Sequence, residues 1–496
     1  MKKTGKLALL PLALFLSACA DEGYDTDEQW VSDTQNTVLA SPQVSISKTS
    51  TSDTEKTVVI TWPVVHGAKG YLLNVADVTD PAQRVAVVTD SLIDRCTVAL
   101  VLPNEMNYEL SLLTVASEAL GNKTPEAATV AKFDTYVPSV TIPAGAEISA
   151  WVAEHLVDSE EEQGIALEAG QTYQLDGEAD FRLNTMEFRG DKNNAPTIIV
   201  GEKGCFVTQG GLKIRDLNID CSNTKMTGLL TLAAEPDESI STNSLGYKAL
   251  GANQDGFVIQ KTVAFQNCRI KNLPNSLLYG NSMNWSLCDF RVLDCIVQMA
   301  NKGSKPVLNL TGGSNGLIQK MMLRNSTFYN TEKNETECYF MRFSNSSNAQ
   351  PKKIFGEANN FLEYVVDHCS FIRTNPKKDF ANNLPNTQNN GKLWIEVNDC
   401  VFFDVFRLYQ LLQSQWVKTT LGNYMSYTDF CEPQTTDYGP GGRTDQYGNF
   451  YTTLDEAPEF SDGQLQVFDL SKANGGVNLA PAGLAASAKS GDPRWY

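Results

Sequence analysis

The sequence predicts an all-β protein in which a sandwich of short strands is followed by a solenoid of parallel strands. Three observations carry this. Residues 43–137 alternate apolar and polar positions in short runs between turn formers, that spacing changes beyond Val137-Pro138, and a six-residue template then recurs toward the C-terminus. At 496 residues, 42% hydrophobic and 20% charged, the chain can bury a large core and is long enough for more than one domain. Its 58 acidic against 40 basic residues leave a net charge of −18, which argues against a nucleic-acid partner. Only His66, His155 and His368 are present, too few for a multi-histidine metal centre, so carboxylates and basic side chains must carry any acid/base chemistry.

Lys2, Lys3 and Lys6 precede the apolar run Leu7 to Leu16, the charged and apolar regions of a secretory signal. The run is too short to span a bilayer. It ends in Leu16-Ser17-Ala18-Cys19, which resembles the bacterial lipobox. That resemblance implies removal of residues 1–18, lipidation of Cys19 and attachment to the outer membrane through the lipid. Loss of residues 1–18 removes three lysines and no acid, so the net charge becomes −21. Residues 19–42 then read as an acidic tether carrying Asp21, Glu22, Asp25, Asp27 and Glu28. It is similar to the stretch that marks some Gram-negative lipoproteins for display on the outer face of the cell. No later stretch reaches 18 apolar residues, so the lipid is the expected anchor.

Within 43–137, Val58 to Trp62 is followed by the turn Gly67 to Gly70, then by Tyr71 to Val75 and later by Tyr108 to Leu112. This is β-sandwich spacing. The early Trp62, Tyr71 after the glycine turn and the late Tyr108 resemble a fibronectin type III domain, which implies a spacer module. Cys96 is its single cysteine, so no internal disulfide can form there.

Residues 138–496 are expected to form the solenoid. Ile148 to Leu156 has the spacing of a short helix that would cap the open end of a coil. Gly164 to Leu175 alternates around a glycine turn and resembles the opening rung of right-handed parallel β-helices. The template reads apolar, any, Asp or Asn, Cys or small, any, apolar. It appears at 265–270, 292–297, 323–328, 366–371 and 397–402, with a looser copy at 214–219. From Leu217 the fourth positions follow at 51, 27, 31, 43 and 31 residues, so loops of irregular length join a constant strand core. Cys at the fourth position is predicted to be a buried, packable small residue, because thiols stacked on successive rungs have poor disulfide geometry. The Asp or Asn before it predicts a tight turn in which its side chain caps backbone N–H groups.

The tail Gly491 to Tyr496, together with this register, resembles lipoproteins encoded with bacterial polysaccharide-utilisation systems, which pair a fibronectin type III-like domain with a pectate-lyase-like β-helix. The resemblance implies a polysaccharide or oligosaccharide ligand and outer-membrane glycan transporter components as partners. Binding needs aromatic faces and polar side chains. Trp394 has strand parity opposite to Val397, and Arg291 and Arg324 are placed outward by the same count. The longest interruption of the repeat, 404–455, reads as a loop insertion. It carries Trp416, Tyr424, Tyr427 and Arg443 as glycan-binding candidates, or else covers the last rung.

Catalysis is the alternative, as a polysaccharide lyase or glycoside hydrolase. Asp367-His368 resembles one fragment of a pectate-lyase motif, and Arg269-Ile270-Lys271 one fragment of a polygalacturonase motif. Neither has its motif partners, and both fall on the template, where turn and core roles account for them. No catalytic residue is assigned. An adhesive or structural surface protein is a third reading. No cofactor is required, although at a net −21 a uronate ligand would need a local basic patch or bridging Ca²⁺.

Overall fold

The computed structural model describes residues 35–51, 55–247, 256–303, 305–313, 316–332, 338–344, 351–384, 392–405, 418–421, 424–427, 451–453 and 460–496. The chain divides between Tyr136 and Val137 into two compact units, and both are built almost entirely of strands.

The N-terminal unit has seven strands: β1 (Ser45–Ser50), β2 (Glu55–Thr61), β3 (Ala68–Asp77), β4 (Val85–Ile93), β5 (Thr97–Pro103), β6 (Asn107–Ala116) and β7 (Thr129–Asp134). They form antiparallel sheets of order β1-β2-β5 and β4-β3-β6-β7. Alternation puts Val58, Ile60, Leu73, Val75, Leu110 and Leu112 into one core. Trp62 packs edge-on to Tyr71 at 5.4 Å, and the Tyr71 hydroxyl accepts a hydrogen bond from the Val65 N–H at 2.8 Å. The polar tip of a buried aromatic thus finds a partner while its ring fills the core.

In the second unit the strands take turns among three parallel sheets, of eleven, ten and seven strands. Gln163–Leu167, Thr172–Leu175 and Glu178–Asp180 contribute one strand to each sheet in that order. Met186–Arg189, Thr197–Val200 and Cys205–Thr208 repeat the cycle one rung on. This succession is compatible with a parallel β-helix. The rungs stack their apolar residues on one another, and the interior of the coil is one contiguous core. A helix, α1 (Ile148–His155), lies at the start of the coil and inserts Ile148 and Val152 into that core. Its N-terminus is capped by Glu147, whose carboxylate accepts from the N–H groups of Ser149 and Ala150 and from Asp176.

The template spans the corner between the eleven- and ten-strand sheets. Its first apolar positions stack in register from Ile214 through Phe265, Val292, Leu323 and Val366 to Val397. Its last positions stack from Ile219 through Ile270, Val297, Phe328 and Phe371 to Phe402. Phe371 lies parallel to Phe328 at 5.4 Å and to Phe402 at 4.9 Å, close to the ~4.8 Å strand spacing that parallel pairing imposes.

Between these ladders, Asp216, Asn267, Asp294, Asn325, His368 and Asp399 all have φ between 46° and 56°. Asn and Asp tolerate this left-handed region better than other side chains, which explains the third template position. The expected capping of backbone N–H groups by these side chains is corrected in part. Asn267 Nδ2 donates to Asp216 Oδ1 at 2.7 Å and Asn325 Nδ2 to Asp294 Oδ1 at 3.1 Å, so the turn side chains bond from rung to rung.

The fourth position follows inside the corner, where Leu217, Cys268, Cys295, Ser326, Cys369 and Cys400 are buried. The described cysteines are free thiols. Cys268, Cys295, Cys369 and Cys400 donate at 3.1–3.3 Å to the carbonyl two residues back, and Ser326 does so at 2.7 Å. Cys and Ser interchange here because the corner accepts one small side chain with a single donor.

The outer face of the ten-strand sheet is also apolar, and the C-terminal residues cover it. Ile296, Tyr329, Ile372 and Phe403 pack against Leu465, Phe468, Val477, Leu479 and Trp495. The stretch 404–455, expected as a loop insertion, contains strands Lys418–Leu421, Tyr424–Tyr427 and Tyr451–Thr453, which extend the eleven- and ten-strand sheets.

Candidate functional site

Parallel pairing without slippage turns the outward positions of the eleven-strand sheet into columns in which successive residues are about 4.8 Å apart. On its first rungs this face is closed. Glu187 is fully buried, with Arg189 at 3.2 Å and Arg215 at 4.0 Å, and Arg215 lies 2.8 Å from Asp216. Charges that satisfy one another under cover hold the sheet and leave little to offer a ligand.

On later rungs Lys320, Arg324 and Glu363 are exposed. One column runs Asp289, Lys320, Glu363, Trp394 and Lys418; the next runs Arg291, Met322, Val365, Glu396 and Thr420; a third brings Arg324 beside Asp367. Arg291 grips Asp289 at 2.7 Å, and Asp289 also accepts from the Thr262 hydroxyl at 2.7 Å. Arg324, 46% exposed, lies 3.3 Å from Asp367. Lys320 sits over the Phe361 ring at 5.7 Å. At the edge of this strip His368 Nδ1 is 2.8 Å from Asp367 Oδ1, and its Nε2 is 3.8 Å from Asp399 Oδ2. The result is a face on which exposed Lys320, Glu363 and Arg324 stand on rigid strands beside the Arg291–Asp289 pair, so charged donors and acceptors of both signs are offered at the strand spacing.

Arg291, Arg324 and Trp394 therefore belong to one sheet face, with Trp394 placed on its strand Lys392–Asn398 between Glu363 and Lys418. Tyr424 and Tyr427 belong to the adjoining ten-strand sheet, opposite Cys400 and Phe403, and so to a different face. Cys19, Trp416 and Arg443 lie outside the described residues. Sequence reasoning missed Asp289 and Glu363. The signal for them was available, since each stands three residues before the first apolar position of a template copy.

A concavity of about 490 Å³ lies elsewhere, at the corner between the seven- and eleven-strand sheets, lined by Asp158, Arg182, Asn184, Gln209 and Asp237 among others. Its polar groups are engaged internally: Arg182 pairs with Asp158 at 3.0 Å, and Asn184 Oδ1 accepts from the Ser159 N–H at 2.8 Å. Among the described residues no group of three His, Cys, Asp or Glu side chains is placed to hold a metal ion, and no helix is long and apolar enough to cross a membrane.

Residues 1–176 match a family model described as a domain of unknown function (DUF4992), and residues 171–331 match a second one, DUF4957, with the same description. No curated protein and no solved structure matches the chain.

Proposed function

We propose that this chain is a lipid-anchored cell-surface protein that binds a polysaccharide along the outward face of its eleven-strand sheet and passes it to outer-membrane glycan transporter components. In this reading the anchor is Cys19, the N-terminal sandwich is a fibronectin type III-like spacer, and the second unit is a right-handed pectate-lyase-like β-helix. The 3 + 4 strand order supports the spacer, and the in-register three-sheet coil supports the β-helix. The observation that carries the binding role is the group of exposed charged side chains Lys320, Glu363 and Arg324 on successive strands of this face. Neighbouring strands place them at a spacing comparable to the length of one pyranose. Arg291 and Arg324 are each turned toward a carboxylate, which favours hydroxyl recognition over a simple grip on a polyanion. A uronic-acid-containing, pectin-like glycan would need Ca²⁺ between its carboxylates and those of the protein.

The Asp367-His368-Asp399 grouping favours a second reading, acid/base catalysis by a polysaccharide lyase or glycoside hydrolase on the same strip. His368 has the same left-handed backbone as its template counterparts, and that turn role supports binding over catalysis.

The test incubates residues 29–496 with pectic, other plant and host glycans, with and without Ca²⁺, and follows retention, new reducing ends and unsaturated-uronate absorbance. The expected result is retention without product, weakened about tenfold by Trp394→Ala or Arg324→Ala, the loss of roughly one charge-assisted or stacking contact. Product release abolished by His368→Asn would overturn the binding reading in favour of the enzyme.

A further inference from the structure

The seven-strand sheet has an outward face of its own, and the later part of one column on it is unlike the columns of the eleven-strand sheet. In-register pairing runs this column from Thr231 through Tyr279, Asn309 and Arg342 to Asn382. The residues just before them, Leu230, Leu278, Leu308, Met341 and Ala381, face the core, so strand parity turns the column outward. Thr231 and Asn309 are buried, whereas Tyr279, Arg342 and Asn382 are partly exposed. None of the five is acidic, in a chain with 58 acidic residues.

Arg342 also differs from the other described arginines of the coil. Each of those, from Arg182 to Arg494, pairs with a carboxylate, except Arg269, which donates to the Lys472 carbonyl at 2.6 Å. Arg342 has neither kind of partner among the described residues. Its guanidinium lies over the Tyr339 ring, 5.5 Å from the centroid, and its Nε is buried without a hydrogen bond. A guanidinium partly out of water and lacking an acceptor is destabilising, and an anion at its solvent-facing side offsets that cost. The ring beneath it restrains the fork, so less freedom is lost when an anion binds. Asn309, one rung before, spends its Oδ1 on the Thr311 N–H at 3.2 Å and the Thr311 hydroxyl at 2.7 Å. Asn382, one rung on, has no side-chain hydrogen bond among the described residues. Tyr279, two rungs before and thus about 10 Å along the column, bonds its hydroxyl to Ser282 Oγ at 3.0 Å.

We propose that Arg342 is the centre of a second ligand site, on the outward face of the seven-strand sheet, which takes the carboxylate of a hexuronate residue without a metal ion. The guanidinium donates to the carboxylate oxygens, a planar pairing for which arginine is suited. The Asn382 amide, about 4.8 Å along the column, serves a hydroxyl of the same sugar, and the Tyr279 ring supports the chain further along. At a net charge of −18 a uronate needs a local departure from the overall field, and an acid-free column around an uncompensated cation supplies one. The eleven-strand face offers the opposite arrangement. There Arg291 and Arg324 are turned toward carboxylates of the protein, and a uronate needs Ca²⁺. The choice of a sugar as bearer of the carboxylate rests on the polysaccharide reading above, whereas the anion site rests on the surroundings of Arg342.

Isothermal titration calorimetry on residues 29–496 in EDTA, with trigalacturonate and its methyl ester as probes, tests it. The native chain is expected to bind the acid about tenfold more tightly than the ester, the worth of one charge-assisted pairing, and the difference is expected to shrink as NaCl is added. Arg342→Gln is expected to abolish the difference and Arg342→Lys to keep part of it, because lysine restores the charge without the fork. That graded response is one that misfolding would not produce. An acid that does not bind, equal binding of acid and ester by the native chain, or a difference that survives Arg342→Gln each overturns the proposal. Retention of neutral glycans by a chain with no preference for the acid would remove this site and leave the eleven-strand reading standing. Preference for the acid by a chain that retains no neutral glycan would do the reverse.

Discussion

Replacing Arg494 with Ala should release the C-terminal segment from the ten-strand sheet while leaving both cores folded. The Arg494 guanidinium donates to the carbonyls of Asp294 at 3.1 Å and Cys295 at 2.8 Å and to that of Asn325, and it pairs with Asp492 at 2.6 Å. It thus ties the tail to the corner turns of two successive rungs. Asp492 is fully buried; it also accepts from the Thr327 hydroxyl at 2.7 Å, and its N–H donates to Ser370 Oγ at 3.0 Å. Breaking a buried pair by removing one partner costs about 3–5 kcal/mol, because the other charge is stranded. The Arg494 side chain keeps 25% of its exposure, so solvent screening brings the figure to about 3 kcal/mol. Lys cannot reproduce the planar fork, and Arg494→Lys should lose about 2 kcal/mol. Because the chain has two compact units, a global melt would blur the effect. Native-state hydrogen exchange resolved by peptide is the appropriate assay. Protection across residues 460–496 should fall about a hundredfold in Arg494→Ala, with peptides from the sandwich unchanged. Unchanged exchange in that segment would refute the latch.

Two further outcomes follow from the coil. Burial alone would push the Glu147 carboxyl up, but the N–H groups of Asp176, Ala150 and Ser149 and the Ser149 hydroxyl together hold it below the usual carboxylate range. Its contribution is therefore present above the ordinary value and lost as pH falls through the lowered one, and Glu147→Ala should cost about 1 kcal/mol near neutrality and progressively less in acid, read by exchange of residues 148–156. Burial raises the thiols of Cys268 and Cys369 well above the usual range and pushes Cys205 up to about 12. Brief iodoacetamide treatment of the native chain, mapped by mass spectrometry, should leave these three unmodified while the half-buried Cys96 is labelled.

The template was legible because its constraints are local. A corner of two residues demands a left-handed backbone at one position and a small buried side chain at the next, and Asn267-Cys268, Asp294-Cys295 and Asn325-Ser326 state both demands in adjacent letters. The all-β class and the parallel sheets follow from stacking those corners. The C-terminal latch was not legible, since its partners lie far away in sequence. Asp492 meets Thr327 across 165 residues and Arg494 meets Asp294 across 200, and a tail of small and polar residues shows no periodicity of its own. The strands inside 404–455 were missed for the opposite reason: runs of three or four residues are too short for alternation to stand out from an aromatic-rich background.

The latch also changes what the tail Gly491 to Tyr496 means. Gly491 has φ 94°, and a Cβ there would come within 2.6 Å of Ser370 Oγ, so glycine is required where the chain turns in against the sheet. Asp492 and Arg494 bind the corner turns, and the Trp495 indole N–H donates to the Thr327 hydroxyl at 2.8 Å. Each distinctive residue of the motif has a structural partner, so the tail marks an architecture rather than an activity. The exposed charges of the eleven-strand sheet behave differently. Lys320, Glu363 and Arg324 are exposed on the outward side of a sheet whose opposite side is the core, and their spacing is set by the strands beneath them. Changing them should leave the coil intact, so on the proposed binding role this strip, and not the tail, is the place where function can vary on a constant fold.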